Sequence, residues 1–478
     1  MAFRHGVYWD VLPTAISATV TADSAFTIAF GTAPNFKGIE GAGKANKIVY
    51  AATYAEAVAQ LGYSNDWESW TLCEIMYNHF SNYGVGGIAF VNVFNMDDPE
   101  MVEEKSLEDA PVIANRVILT ANALPLTVEV TKDDDTPLEI EKDFVLSWDK
   151  SESLVITLIG DAATETAVNV LWKDALPNVI ESADVIGGID VNTGEPTGME
   201  LISQLFPKFR KVAAIIIAPG WSQDPAVAAV MNAKADLING VFMQATAIVD
   251  IPATMKYSEV AEWKNQNNYV LEHQISCWPR LTLGGFKYYF STHLSALLAV
   301  VDRNRDNIPS QSPSNQNLRM DGACLDDDTP VNLGLDQAND MLNANGIVTA
   351  LNFARGWTAW GNHMSCYPGE TDPAKIWIVM HRMNAWKGNS LPLTYWAKVD
   401  LPLSPMIIDN IVDTENMQLN GIAPFHIAPG ASLVYVPEKS NLINGKAFFH
   451  LRWCPYPPMQ EILFGIEVDF MQMLAAVA

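Results

Sequence analysis

Short apolar runs alternating with helical stretches open the chain. Residues 1–25 carry no helical period; Pro13 and the β-branched run at 16–21 give them an extended character, so they predict an arm rather than a domain. Residues 26–30 read as an apolar strand stopped by Gly31-Thr32-Ala33-Pro34, where glycine and proline enforce a turn. A second strand is predicted over 47–52, helices over 54–61 and 67–80, and a third strand over 88–94. The second helix gathers Trp67, Trp70, Leu72, Ile75, Met76 and Phe80 on one broad apolar side. Strands alternating with helices predict the start of an α/β unit.

The texture changes near Met96. Short strands at 112–119, 126–130, 144–148 and 154–159 are separated by polar turns such as 132–137, which predicts a small all-β module inserted at 96–184. The α/β pattern then resumes: a helix at 198–206, a strand at 212–218 stopped by Pro219-Gly220, a helix at 224–238, and a strand at 245–251 closed by Pro252. Continuous apolar strands between helices imply a sheet covered on both faces. After the polar, turn-rich 310–330 comes a helix at 336–345 with Gly346 at its C-terminal side. Strands at 347–353, 376–380, 432–436 and 447–453 complete a last α+β region.

The chain closes on a distinct pattern. Phe464, Ile466, Val468 and Phe470 alternate with Gly465, Glu467 and Asp469, the period of a half-buried β-strand. Residues 470–478 contain neither charge nor proline, the devices that normally blunt an edge strand. The strand either pairs within its own domain or is completed by another chain. The expected fold is therefore multidomain α/β and α+β. It comprises an N-terminal arm at 1–25, an α/β middle domain in two parts at 26–95 and 185–330 around the β module at 96–184, and a C-terminal domain at 331–478 that includes a terminal arm at 461–478.

Composition narrows the functions available. With 478 residues the chain is too long for one core and suggests roughly two to four domains. A net charge of -26 argues against nucleic-acid binding and against docking on an anionic membrane surface. The five cysteines are scattered and form no CxxC pair, so neither a disulfide framework nor a zinc ribbon is indicated. The first ten residues hold no apolar core of a signal peptide, and no apolar stretch approaches the ~20 residues of a membrane span. These features together predict assembly in a reducing cytoplasm, without membrane insertion.

Candidate chemistry is sparse. Gly38 to Ala45 matches GxxxxGK, but Ala45 stands where a P-loop needs Ser or Thr, and a β-like segment follows where a helix is required. The histidines show no HxxxH or HExxH spacing, and the acidic triplets 133–135 and 326–328 do not follow the spacing of a calcium cage. No GxSxG or dinucleotide fingerprint is present. No internal repeat of fixed period is visible, which removes solenoids and propellers. The tryptophans crowd the last domain at Trp357, Trp360, Trp377, Trp386 and Trp396, as core residues or as subunit anchors. No catalytic residue, metal site or cofactor is expected, and an interaction protein is favoured over an enzyme. The alternative is a hydrolase or carbohydrate-active enzyme with an accessory β module; a capsid or tail-tube protein is disfavoured by the multidomain α/β plan.

Several segments, in order, resemble the sheath subunits of contractile phage tails, R-type bacteriocins and extracellular injection systems. They are His5-Gly6-Val7 with Gly31-Thr32-Ala33-Pro34, the run IIIAPG at 215–220, Asp250-Ile251-Pro252, and Ser312-Pro313-Ser314-Asn315. The run LGLDQANDMLNANGI at 333–347 matches best; Gly-Trp-Thr-Ala-Trp-Gly at 356–361 and the proline-rich Pro455, Pro457, Pro458, Glu461, Ile462 follow. The match spans nearly the whole chain outside the β module. Asn362-His363-Met364, where sheath sequences often place Arg-Thr, and His381-Arg382, where they often carry paired arginines, are departures.

The resemblance implies a homo-oligomer of stacked hexameric rings forming a helical sheath around a tail tube protein, with a baseplate and a tail terminator as further partners and no nucleic acid. It implies that N- and C-terminal arms, here Val7, Ile16 and Val20 and Phe464, Ile466, Val468 and Phe470, add strands to the last domains of neighbours. Residues 17–24 and 455–458 become candidate hinges, and the β module faces outward. The tube-facing surface is expected in the last domain, on a local basic patch of His381, Arg382 and Lys387. Contraction would run on energy stored at assembly, so no nucleotide site is needed. The implied location is a phage tail, bacteriocin or injection particle assembled in a bacterial cytoplasm.

Overall fold

A computed structural model describes residues 19–39, 45–191 and 193–477. Its centre is an eight-stranded sheet. From one edge to the other run Trp357–Trp360, Ile347–Asn352, Gln274–Cys277, Thr246–Asp250, Ile215–Ile217, Thr27–Gly31, Ile88–Asn92 and Ile48–Ala51. The two edge strands pair antiparallel and all the inner pairs are parallel. Every residue of Thr27–Gly31, Thr246–Asp250 and Ile88–Asn92 is buried, because helices cover both faces. Alternate side chains feed opposite cores: Ile28, Phe30, Ile216, Ala247 and Val249 on one side, Ala29, Ile215, Ile217, Ile248 and Ile275 on the other.

The helices begin where local chemistry starts them. Thr53 caps Tyr54–Leu61 by accepting from Glu56 N, while the Glu56 carboxylate accepts from Ala52 N at 2.8 Å. Asp224 caps Pro225–Asp236, which has proline at its first position. The helix Phe290–Arg303 is buried along most of its length between the sheet and the segment Tyr77–Asn82.

Strands between Val102 and Ala175 form two three-stranded antiparallel sheets with their own core of Val117, Phe144, Ile156, Val170 and Trp172. The long pairing of Val102–Pro111 with Ala167–Ala175 draws the two ends of this segment together. Its Trp148–Glu152 turn rests on the main body: the Glu152 carboxylate meets Lys37 Nζ at 3.0 Å and accepts from Asn65 N at 2.8 Å, and Lys37 lies over the Trp148 ring.

Beyond the sheet, the helices Ile378–Tyr395 and Pro405–Ile422 and the hairpin Ser432–Tyr435 with Phe449–Arg452 enclose a smaller core of Val379, Met383, Trp386, Leu419 and Ile427, to which Ile308 contributes.

Three expectations need correction. Ile347–Asn352 and Trp357–Trp360 extend the central sheet, so the last region does not separate from the middle one at residue 331. The expected strand at 376–380 is the start of the helix Ile378–Tyr395, whose Ile378 and Val379 are buried by tertiary packing that overrides their β preference. The expected terminal strand at 464–470 forms no ladder among the described residues, and a helix, Phe470–Val477, follows it.

Candidate assembly surfaces

The N-terminal approach to the central sheet is tied to the helix Ile378–Tyr395 at alternate residues. Val20 N donates to Thr394 Oγ1 at 3.0 Å and Thr394 Oγ1 donates to Val20 O at 2.9 Å. Two residues on, Ala22 N donates to Ser390 Oγ at 2.9 Å. Two further on, Ser24 O accepts from Arg382 Nη2 at 3.0 Å. An extended chain presents like groups every second residue, and a helix presents residues 394, 390 and 382 on one face; the two periods meet along this line. Ala22 and Ser24 are buried whereas Val20, at the Thr394 end of the helix, is 50% exposed. Residues 22–24 are thus fastened and do not form a hinge. Val7 and Ile16 lie outside the described residues.

Arg382 does more than hold Ser24. Its guanidinium forms a bidentate pair with Asp302, at 3.1 and 2.6 Å, and both side chains are buried. Lys387 is equally enclosed, paired with Glu415 and donating to Gln418 Oε1 at 2.5 Å, while Tyr395 donates its hydroxyl to Glu415 at 3.0 Å. Burial pushes the Lys387 ammonium below its ordinary pKa, opposed by Glu415. The His381 ring lies tilted against that of His273, centroids 5.3 Å apart, and burial holds its imidazole down to about 3, the neighbouring His273 acting in the same sense. His381, Arg382 and Lys387 are 4%, 3% and 1% exposed. The expected tube-facing patch is therefore not a surface: the two cations are spent on carboxylates distant in sequence, one joining the last region to the helix Phe290–Arg303 and the other joining the two C-terminal helices.

Asparagine side chains serve as further clamps. Asn389 accepts from Met243 N and donates to Met243 O, both at 2.9 Å. None of Asn389, Ser390 and Thr394 was singled out from sequence. The available signal was Ser390 and Thr394 four apart, with Arg382 on the same face, in a stretch beyond the expected strand at 376–380 that no expected element covers.

Among the described residues the C-terminal tail is exposed along nearly its whole length. Phe464, Ile466, Val468 and Phe470 are 86%, 91%, 69% and 67% exposed, and Met459 and Leu463 are exposed beside them. Fully burying one such side chain is worth about 1.5–3 kcal/mol, so this segment holds a large unspent hydrophobic term. The hairpin Ser432–Tyr435 with Phe449–Arg452 is a two-stranded sheet, with edges that main-chain hydrogen bonds from another strand can extend. Trp396, in the turn after the helix Ile378–Tyr395, is exposed, while Trp386 is in the core.

The remaining candidates resolve into packing. Most of Gly38 to Ala45 lies outside the described residues. His79 and His293 are buried between Tyr77–Asn82 and Phe290–Arg303, His79 against Ser295 Oγ at 2.9 Å and His293 Nδ1 against the Tyr83 hydroxyl at 3.1 Å. His363 is sandwiched between Tyr367 and Trp377. In the triplet 326–328, Asp326 faces Arg280 at 3.5 Å and Asp328 faces Lys287 at 3.0 Å. Among the described residues no group of three or more His, Cys, Asp or Glu is placed to hold a metal ion, and no helix is long and apolar enough to cross a membrane.

No family model matches the chain. It is 25% identical over 327 residues to a putative prophage major tail sheath protein of Pseudomonas aeruginosa (strain UCBPP-PA14), covering 66% of this chain and 77% of the relative. Among solved structures it is similar to the PVC sheath complex of an extracellular contractile injection system in its contracted state, with a TM-score of 0.59 at 11% identity over 99% of each chain. It is also similar to the helical sheath of the anti-feeding prophage in its contracted state, with a TM-score of 0.56 at 12% identity over 97% of this chain and 99% of the other.

Proposed function

We propose that this chain, which groups with the contractile tail sheath proteins in sequence and fold, is a structural subunit, not an enzyme, that polymerises as stacked hexameric rings around an inner tail tube. Its partners are copies of itself, the tube protein, and the baseplate and terminator at the two ends of a tail or injection particle. Contraction of the lattice drives the tube through a target envelope.

The observation that carries the reading is the tail at 464–470. It alternates apolar and polar residues as a strand does, yet stands two-thirds or more exposed at all four apolar positions and forms no ladder with any of the described residues. A strand completed by a neighbour gives a main-chain joint that tolerates rotation of the bodies it links. The N-terminal arm supplies the second such joint. The bodies then need two packings, the contracted one lower in free energy.

Truncation tests this. Deleting residues 1–15, or residues 466–478, leaves folded protein that forms no cylinders under the electron microscope, whereas the full chain forms hollow ones. Normal cylinders from both truncations would refute the strand-linked sheath, and discrete globules from the full chain would favour a different class of protein.

A further inference from the structure

One face of the helix Pro405–Ile422 and the tip of the hairpin that follows it carry opposite charges beside exposed apolar side chains. The helix packs inward through Thr414, Glu415 and Leu419. Asn416 clamps the hairpin, accepting from Leu433 N at 2.7 Å and donating to Leu433 O at 3.1 Å. On the opposite side Met406, Asp409, Asp413 and Met417 succeed one another at spacings of three and four, which makes a single stripe. All four are exposed, the methionines at 74% and 56%.

The hairpin connection is built to hold a shape. Asn441 and Lys446 exchange two main-chain hydrogen bonds at 2.9 and 3.0 Å, and Gly445 between them takes the left-handed φ of +70° that the turn demands. Ser440 Oγ donates to Val436 O at 2.9 Å and accepts from Phe448 N at 3.0 Å. At the apex stand Leu442 and Ile443, the latter 99% exposed, with Lys439 and Lys446 beside them. An isoleucine held outward on a closed turn is an anchor whose ordering cost is already met.

We propose that the Ile443 tip of one subunit docks on the Met406–Met417 stripe of a second copy. Charge complementarity selects that occupant. The chain carries 55 acidic and 29 basic residues, so copies repel on average and a basic patch meeting carboxylates offsets that repulsion. Lys439 lies over the Phe448 ring, and no ion pair involves Lys439, Lys446, Asp409 or Asp413 among the described residues. Methionine is soft enough to close around an apolar knob. Tip and stripe are different patches, so the contact is heterologous and propagates into rings or helices rather than closing as a dimer. This inference rests on the reading of the chain as a self-assembling sheath subunit.

Charge reversal tests it. Lys439→Glu with Lys446→Glu in one protein, and Asp409→Lys with Asp413→Lys in another, are each expected to fold with unchanged melting temperature. Neither should form cylinders at ten times the concentration at which wild type does. An equimolar mixture of the two, and a single chain carrying all four changes, should assemble again. Normal cylinders from either double variant would overturn the contact alone. Empty cylinders that no longer enclose a tube would overturn it in favour of the tube as partner. Wild-type protein that never forms cylinders would overturn the sheath reading and this contact with it.

Discussion

Thr394 holds Val20 by both main-chain groups, accepting from its N–H at 3.0 Å and donating to its C=O at 2.9 Å. The pair is exposed, whereas the next tie, Ala22 to Ser390, is buried. Water replaces an exposed hydrogen bond but not a buried one. Thr394→Val should therefore change stability by less than about 1 kcal/mol, while Ser390→Ala, which strands the Ala22 N–H, should cost about 1–3 kcal/mol. Urea denaturation of the two variants under matched conditions reads the difference, and equal losses would mean that the two ties are equally dry.

The Arg382–Asp302 pair joins the last region to the helix Phe290–Arg303 in a buried setting. Removing one partner leaves an uncompensated charge. Asp302→Ala is expected to cost about 3–5 kcal/mol, whereas replacing both partners by apolar residues, Arg382→Met with Asp302→Leu, should recover much of that. Thermal melts of the single and double variants decide; a double variant worse than the single would show that the Ser24 carbonyl, left without Arg382, dominates instead.

That pair also explains what was legible in the sequence. The central strands stood out because a strand buried on both faces must be an apolar run of about five residues, as at Thr246–Asp250, and Pro225–Asp236 because aspartate and proline announce its start. The helix Ile378–Tyr395 was hidden: it begins with β-branched residues, contains Gly388 and Pro392, and buries residues around much of its circumference, so no amphipathic stripe appears. Its cations read as a surface patch because nothing local reveals that Asp302, 80 residues away, and Glu415 wait across the interface. The attachment of Ile347–Asn352 to Gln274–Cys277 is likewise a pairing between distant segments that periodicity cannot specify. At the terminus the alternation of apolar and polar residues does not say which strand would complete it, and a strand without a partner forms no ladder.

Glu74 gives a dependence on pH. It is wholly buried, accepts from Tyr289 N at 2.8 Å, and burial raises its pKa to about 8, Arg280 opposing. The folded protein then keeps a proton that the unfolded chain has released, so this stabilisation is complete below the ordinary carboxylate pKa and is lost as pH rises toward about 8. Glu74→Gln should match wild type near pH 5 and exceed it at pH 8. Melting temperatures across that range test it; parallel curves for the two proteins would mean that Glu74 titrates normally.

His79, His293 and His381 act in the opposite sense. Burial holds all three to about 3, as neutral imidazoles. Between the ordinary histidine pKa and that value the unfolded chain binds protons that the folded one refuses, so stability falls as pH falls through the window from about 6.5 toward 3. Asp250, raised to about 6 by burial, offsets part of this because it gains its proton in the folded state first. Three refusing imidazoles outweigh the two accepting carboxyls, Asp250 and Glu74, so the stability maximum should lie near neutrality and the urea midpoint should drop steadily from pH 6 to pH 4. Unfolding at pH 5 should take up protons, and a midpoint that is flat or rising over this interval would place at least two of the three histidines in contact with water.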